Sequence, residues 1–501
     1  MKKSFALSPQ TVKQNIAKLQ KFAEEKGWDA VYISSFDPYL NEYVPLEDCH
    51  RFYLTGFTGS VAEVLVPREG KARVYVDGRY HEQVDLEVPA DAVQPVKPEG
   101  GMGNAAALIR DLKEMGVKKL GFEADRTSLG LLKLLEEVCE TDGLFANELA
   151  SFIEFAPQTA PKEINFVPRE LRGRDTTEKL RDVFQTEKQG MYLPALDGIA
   201  WVTNCRGYHL PHLSSFRAKA LLTRQKAYVF ISPETPVSAE AMKIEGVQWI
   251  KVPHTQLSSE LTTLQNTLHL DEMTYDPSLL NCADFIMLLS VFGPDRLRER
   301  KGGLIEWMSI KEPAEIRAME DSFRRGDKAI FETIRTIKQA TKEGKRQTEL
   351  DLWNETTKQY QKQGAVEQSF NTIAGVGPNG SIIHYGNPSD EVVIKADDMV
   401  LLDSGGYFAS GFATDTTRTF FASFKGEAKK EYKKIYTLVL KGTLACQNAV
   451  FPEGTRGNVL DGLARAPMMK HGYNYNHGTG HGVGIHVHED GVRLSLISTL
   501  P

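Results

Sequence analysis

The stretch from His477 to Asp490, HGTGHGVGIHVHED, constrains the fold more than any other part of the chain. Glycines at 478, 480, 482 and 484 disfavour a helix, because each gives up more backbone freedom on folding than a residue with a Cβ. His477 and His481 are therefore not the i, i+4 pair of a metal-binding helix, and there is no HExxH. The backbone is expected to run extended, with neighbouring groups packed closely against it. If Gly484 to His488 continues as a strand, His486 and His488 share one face, and one of them points where His481 points. The bland alternative is a surface hairpin whose histidines are merely polar, and four histidines within twelve residues argue against it.

A second stretch, MVLLDSGGYFASGFATDTTRTF from Met399, predicts an apolar strand that delivers Asp403, a glycine turn, and a second strand that opens at Asp415. Two carboxylates buried side by side oppose each other's ionisation, and desolvation adds to that cost. A hard divalent cation with oxygen ligands would relieve both. On spacing alone, Asp403 capping a turn with Ser404 and Asp415 pairing with Arg418 is the plainer reading. In a third stretch, FNTIAGVGPNGSIIHYGNP, the loop Gly375 to Gly380 leads into Ile382, Ile383 and His384. A single histidine after an apolar pair is more often a satisfied core residue than a catalytic one.

The chain's 501 residues exceed what one core serves, so three domains are expected. A net charge of -6, with 60 basic and 66 acidic residues and no long run of either sign, gives no footprint for nucleic acid or an anionic membrane. Cys49, Cys139, Cys205, Cys282 and Cys446 are scattered singly without CxxC spacing, which fits a reducing compartment. The apolar stretch near the start, Phe5 to Leu7, is too short for a signal peptide, no window is long enough to span a membrane, and the protein is read as cytoplasmic.

Ser8 and Pro9 read as an N-cap and first helical position, followed by Val12, Ile16, Leu19 and Phe22 at helical spacing. Strands are expected at Ala30 to Ile33, Ala62 to Val66 and Val74 to Val76, and a helix near Leu129 to Cys139. The proline-rich Phe155 to Pro168 marks a boundary. After it the order recurs, with a helix near Thr177 to Lys188, a strand at Gly198 to Val202, and strands at Lys219 to Leu222 and Ala227 to Ile231, as in a second copy of the first plan. Ile316, Met319, Phe323, Ile330 and Ile334 then mark a long amphipathic helix behind Pro313. His209 and His212 are read as solvated loop histidines, or as residues that lend a substrate contact.

Taken together and in order, GPNGSIIHY, DSG with TDTTRTF, and HGTGHGVG with VHE resemble the Xaa-Pro aminopeptidases, and SIKEPAEIRAM resembles the opening of their catalytic domain. HRFYLTGFTGS (His50 to Ser60) and AWVTNCRGYHLPH (Ala200 to His212) resemble the signatures of two creatinase-like N-terminal domains. The resemblance implies an α/β (α+β) chain: creatinase-like domains at 1–160 and 161–305, then a pita-bread catalytic domain at 306–501. It also implies two divalent metal ions, manganese in most members, held by Asp403, Asp415 and His481, with Asp415 bridging. His384 and His488 take the places of two outer catalytic histidines, and His477 that of a histidine lining the substrate pocket. The substrate implied is a peptide with proline at its second position, and the assembly implied is a homodimer.

A prolidase or methionine aminopeptidase is the alternative within the fold, against which the two added domains speak, and a catalytically inactive binding module is the alternative in kind. Asp415 lies twelve residues after Asp403, one more than is usual in the family, so the turn through Tyr407 to Phe412 is expected to bulge. The family's further two glutamate ligands have no counterpart after Asp490, and the closing LSLISTLP resembles the run into a further strand. A truncated or frameshifted chain, keeping the fold with activity absent or weak, is the expectation.

Overall fold

A computed structural model describes residues 5–99, 102–144, 146–155, 159–424 and 428–498, so part of the proline-rich boundary and the end of the closing run lie outside the described residues. The chain forms two compact units, Met1–Met308 and Ser309–Pro501.

The first unit opens with helix α1 (Pro9–Lys26), where the Ser8 hydroxyl accepts from the Thr11 amide and Gly27 closes the helix at φ 71. Six strands follow: β1 (Ala30–Ile33), β2 (Glu63–Pro67), β3 (Ala72–Tyr75), β4 (Val93–Val96), β5 (Lys119–Glu123) and β6 (Glu140–Leu144), in sheet order β4-β3-β2-β1-β5-β6. Strand β1 is buried on both faces, as its apolar run requires. Val31 and Ile33 pack with Val12, Ile16 and Leu19 of α1, while Ala30 and Tyr32 pack with Leu108 and Leu112 on the other side.

Helix α2 (Leu129–Glu136) leads towards a second sheet of β7 (Gln189–Leu193), β8 (Lys219–Thr223), β9 (Ala227–Ile231), β10 (Val247–Lys251), β11 (Glu272–Tyr275) and β12 (Leu297–Glu299), in order β10-β9-β8-β7-β11-β12. Its sequence of parallel and antiparallel pairings repeats that of the first sheet strand for strand. The two copies therefore share one plan. They interlock at matching points: Ser128 caps α2, Asn281 caps α4 (Cys282–Phe292), and the two caps form an antiparallel bridge.

Gly198 to Val202 is not a strand. It lies in helix α3 (Leu196–Thr203), buried throughout this stretch and ended by Asn204 at φ 56. A short run apolar on every side satisfies a buried helix as well as a buried strand, and periodicity cannot separate them.

His209 is not solvated either, and His212 is half-buried. His212 meets Tyr43 edge-on at 5.9 Å. His209 is 6% exposed, donates from Nε2 to the Lys162 carbonyl at 2.7 Å and accepts from the Arg217 amide at 3.1 Å. Burial pushes its pKa down to about 4. The unfolded chain, near 6.5, binds a proton that the folded one refuses, so stability from this group is complete above pH 6.5 and is lost as pH falls towards 4. The full loss is roughly 3 kcal/mol. Urea unfolding of the first unit at several pH values should show that slope, and His209→Gln should flatten it.

The second unit starts with helix α5 (Pro313–Lys342), whose N-terminus carries a Glu312–Glu315 capping box. Its buried stripe runs through Ala318, Ser322, Gly326, Ala329, Ile330 and Ile337, whereas Ile316 is exposed. The small residues on that stripe allow close approach. A Cβ on Gly326 would already touch the Tyr360 hydroxyl of α6 (Glu349–Lys362) at 3.5 Å. Behind these helices stands a three-stranded antiparallel sheet with β15 (Met399–Ser404) between β14 (Ile373–Val376) and β17 (Thr416–Phe421). Two short ribbons accompany it: β13 (Glu367–Gln368) with β16 (Gly406–Tyr407), and β18 (Gly480–Gly482) with β19 (Glu489–Leu494). Helices α7 (Lys430–Gln447) and α8 (Gly457–Met469) pack together in this unit.

Candidate metal centre

Along β15, Val400, Leu402 and Ser404 are buried while Leu401 and Asp403 are half-buried. Period-two alternation thus sends Val400 and Leu402 into the helix-backed core and Asp403 to the other face. Asp403 stands opposite Thr417, so Asp415, two residues before Thr417, lies on the same side.

Between the two carboxylates the chain is more than a hairpin tip. It leaves the sheet at Gly405, pairs with β13 as β16, turns through Phe408 to Gly411 and returns at Ala413 opposite Tyr407. That excursion accommodates the extra residue. The close packing is visible at Gly405, where a Cβ would overlap the Thr414 carbonyl oxygen and the Ser369 hydroxyl.

Asp403 Oδ1 is sealed from solvent without a hydrogen-bond partner. Burial first, and the neighbouring Asp415 carboxylate second, push the Asp403 pKa up to about 7, while a Thr417 hydrogen bond opposes the shift. Asp415 Oδ2 lies 3.2 Å from His481 Nε2, and His481 Nδ1 is 2.9 Å from the Gly482 carbonyl. A neutral imidazole has one N–H, so with both ring nitrogens against oxygen acceptors the second contact calls for a further proton or a metal cation. His488 meets His481 edge-on at 4.6 Å, which makes it, rather than His486, the histidine on the His481 side. Among the described residues, no group of three or more His, Cys, Asp or Glu side chains is already gathered at ligating distance. An orphan carboxylate oxygen beside a carboxylate–imidazole contact fits a hard or borderline divalent cation.

Each of the other named residues has its own local support. His384 is half-buried on the turn after Gly377–Ser381, and its loop is anchored on the buried Glu349 at the start of α6. Glu349 accepts from the Val376 amide at 2.9 Å, the Asn379 amide group at 2.9 Å and the Tyr385 hydroxyl at 2.7 Å. His477 leans on Tyr475 at 4.8 Å, and its carbonyl accepts from Arg465 at 2.6 Å. Gly484 to His488 bends instead of extending as a strand, and His486 Nδ1 donates to the His488 carbonyl at 3.1 Å. Arg418 pairs with Asp327 at 3.4 Å, not with Asp415, because it sits on the opposite face of β17 from Thr417.

Sequence patterns gave no signal for the pair that fastens the histidine loop. Arg465 and Asp461 of α8 are buried and paired at 2.7 Å. Arg465 also donates to Asn474 and the Tyr475 carbonyl, and Asp461 accepts from Thr479 at 2.6 Å. Arg465→Met would leave Asp461 as an uncompensated buried charge, at a cost of about 3–5 kcal/mol. Urea unfolding of the catalytic unit should report that loss, with a much smaller change for Arg465→Lys.

Three family models match the chain in succession: Creatinase/Prolidase N-terminal domain over residues 15–151, a second such domain over 156–315, and Metallopeptidase family M24 over 317–499. A probable Xaa-Pro aminopeptidase P from Talaromyces stipitatus is 30% identical over 490 residues, covering 93% of this chain and 73% of the relative. One from Aspergillus clavatus is 28% identical over 489 residues, with the same coverage. Among solved structures, the X-prolyl aminopeptidase of Caenorhabditis elegans, described as a cytosolic enzyme with a di-nuclear active site, superposes with a TM-score of 0.86 at 24% identity. That match covers 97% of this chain and 82% of the other. The Xaa-Pro dipeptidase of Bacillus anthracis follows at 0.53 and 23% identity, covering 65% of this chain and 85% of its own. The M24 model falls on the residues that carry Asp403, Asp415 and His481, and with a 30% identical relative matched over 93% of this chain, the chain belongs to metallopeptidase family M24, in the Xaa-Pro aminopeptidase P group.

Proposed function

We propose that the protein hydrolyses the bond between an N-terminal residue and a following proline, with Asp403, Asp415 and His481 as donors to two divalent ions, manganese in this case. The observation that carries the reading is the sealed, partnerless Oδ1 of Asp403 beside the Asp415–His481 contact. When bound, such ions supply the acidity that makes water nucleophilic near neutral pH and polarise a peptide carbonyl.

The chain's own residues then divide the remaining work. Asp403 and Asp415 hold negative charge in a partly dry site, where it attracts cations more strongly than in water. The Gly482 carbonyl, accepting from His481 Nδ1, turns Nε2 towards Asp415. To His488, edge-on to His481, we assign donation to an oxyanion, to His384 the companion role and to His477 the lining of the substrate pocket. The two N-terminal domains, at 1–160 and 161–305, favour an aminopeptidase over a prolidase.

The cytosol is the proposed location, in keeping with five free cysteines and with the C. elegans enzyme. Among the described residues no helix is long and apolar enough to cross a membrane. A homodimer is the proposed assembly, and it would cover apolar surface on α7 and α8, where Tyr436, Val439, Leu440, Leu444, Val459 and Leu463 stand exposed. Manganese-loaded protein should release the first residue from Arg-Pro and Ala-Pro peptides and leave peptides without proline at position two intact. Xaa-Pro peptides that stay uncut while manganese is bound would defeat the proposal.

A further inference from the structure

Glu489 follows His488 directly, yet its side chain is only 5% exposed and is ion-paired with Lys311, itself 13% exposed. The glycines before it make room for its carboxylate. A Cβ on Gly484 would overlap that carboxylate, and one on Gly482 would come within 2.9 Å of the Glu489 carbonyl oxygen. Gly482 also stands opposite Glu489 in the β18–β19 ladder, at a register shift between His481 and Gly482. The chain from His481 to His488 is thus wound around one charged group.

The same loop reaches the other metal donor. The Gly484 amide donates to the His486 carbonyl at 3.0 Å, and the Gly484 carbonyl accepts from the Ala413 amide at 2.8 Å, two residues before Asp415. A displacement of Gly484 therefore reaches His481 and His488 on one side and Asp415 on the other. A buried ion pair is weak evidence of stabilisation, since apolar replacements of similar volume often serve as well. What an apolar replacement lacks is the directed, charge-assisted contact that fixes one geometry.

The geometry points to Glu489, through its ion pair with Lys311, as a positioning residue that sets the loop carrying His481 and His488 against Asp415. The inference rests on the reading of Asp415 and His481 as metal donors. It adds a source for their spacing that lies in neither residue.

The test uses the full chain with Glu489→Gln, Lys311→Met and the double variant, which leaves no buried charge unpaired. Three readouts are taken: the ring signals of His481 and His488 in metal-free protein carrying ¹³C-labelled histidine, manganese affinity by calorimetry, and the split between kcat and KM on an Arg-Pro peptide. Each single variant is expected to displace both ring signals, to weaken manganese binding by about 10–100-fold, and to lower kcat with KM within about twofold of wild type. The double variant should be no worse than the worse single one, because the two residues act as a unit. If a single variant fails to fold, the double variant decides by the same ring signals. Folded variants with both ring signals unmoved and manganese affinity within twofold of wild type overturn the inference. Should the wild type take up no manganese, the metal reading fails separately, while displaced or unmoved ring signals still support or overturn the positioning role.

Discussion

Asp415→Asn is expected to end metal uptake and to lower kcat/KM on Xaa-Pro peptides by about 10³-fold or more, the upper range for losing one preorganised electrostatic group. Asp415 is the shared point of the site: its Oδ2 meets His481 at 3.2 Å, and its charge, after burial, is the second cause of the raised Asp403 pKa. An amide in its place keeps the shape and removes the charge that draws a cation. Asp403→Asn should be as damaging to activity but opposite in its effect on the metal-free fold.

The sign follows from the direction of the shift. Asp403 titrates near 7 when folded and near 3.9 when unfolded, so between those values the folded chain binds the extra proton. Metal-free protein therefore loses stability as pH rises from about 4 to about 7, and the asparagine variant escapes that loss. At pH 8 without metal it should be more stable than wild type by an amount on the order of 4 kcal/mol. Adding manganese should raise the wild-type Tm and leave that of the variant unchanged. Melting curves of both proteins with and without manganese check all of this together.

Gly405→Ala is expected to destabilise the second unit severely. The added carbon would overlap the Thr414 carbonyl oxygen, which belongs to backbone, and the Ser369 hydroxyl, which donates to that same carbonyl at 2.6 Å. The Ser369 amide also donates to the Gly405 carbonyl at 3.2 Å, so the surrounding strands are tied together and cannot part cheaply. Overpacking of this kind costs about 3 kcal/mol or more where backbone cannot yield. Because Gly405 follows Asp403 by two residues and Thr414 precedes Asp415, the strain would also part the two carboxylates. Denaturant unfolding should show a lower midpoint for the second unit with the first unchanged, and manganese affinity should fall in parallel.

Much of this architecture was legible because its signals are local. A continuous apolar run placed β15 and the Asp403 it delivers, and Ser8 with Pro9 placed the start of α1. Recurrence of the element order pointed to two copies of one plan, and the matching strand pairings of the two sheets agree with it. The glycine-rich cluster correctly excluded a helix, but its path after His481 depends on a carboxylate five residues beyond Gly484 and a lysine at 311, which no window of sequence connects. The same holds for Glu349, which gathers the His384 loop from the start of a helix, and for Arg465 with Asp461 beneath His477. The strand expected at Gly198 to Val202 failed for a different reason: a segment buried on all sides carries no period to read.

A metal bound where three separate segments present their donors is the central expectation. An anomalous difference map at the manganese absorption edge, from crystals of protein loaded with manganese, tests that most directly. Peaks bounded by Asp403, Asp415 and His481, with His488 facing them, are the predicted result. Protein that holds manganese with its peaks elsewhere, and none beside Asp403 and Asp415, would contradict it.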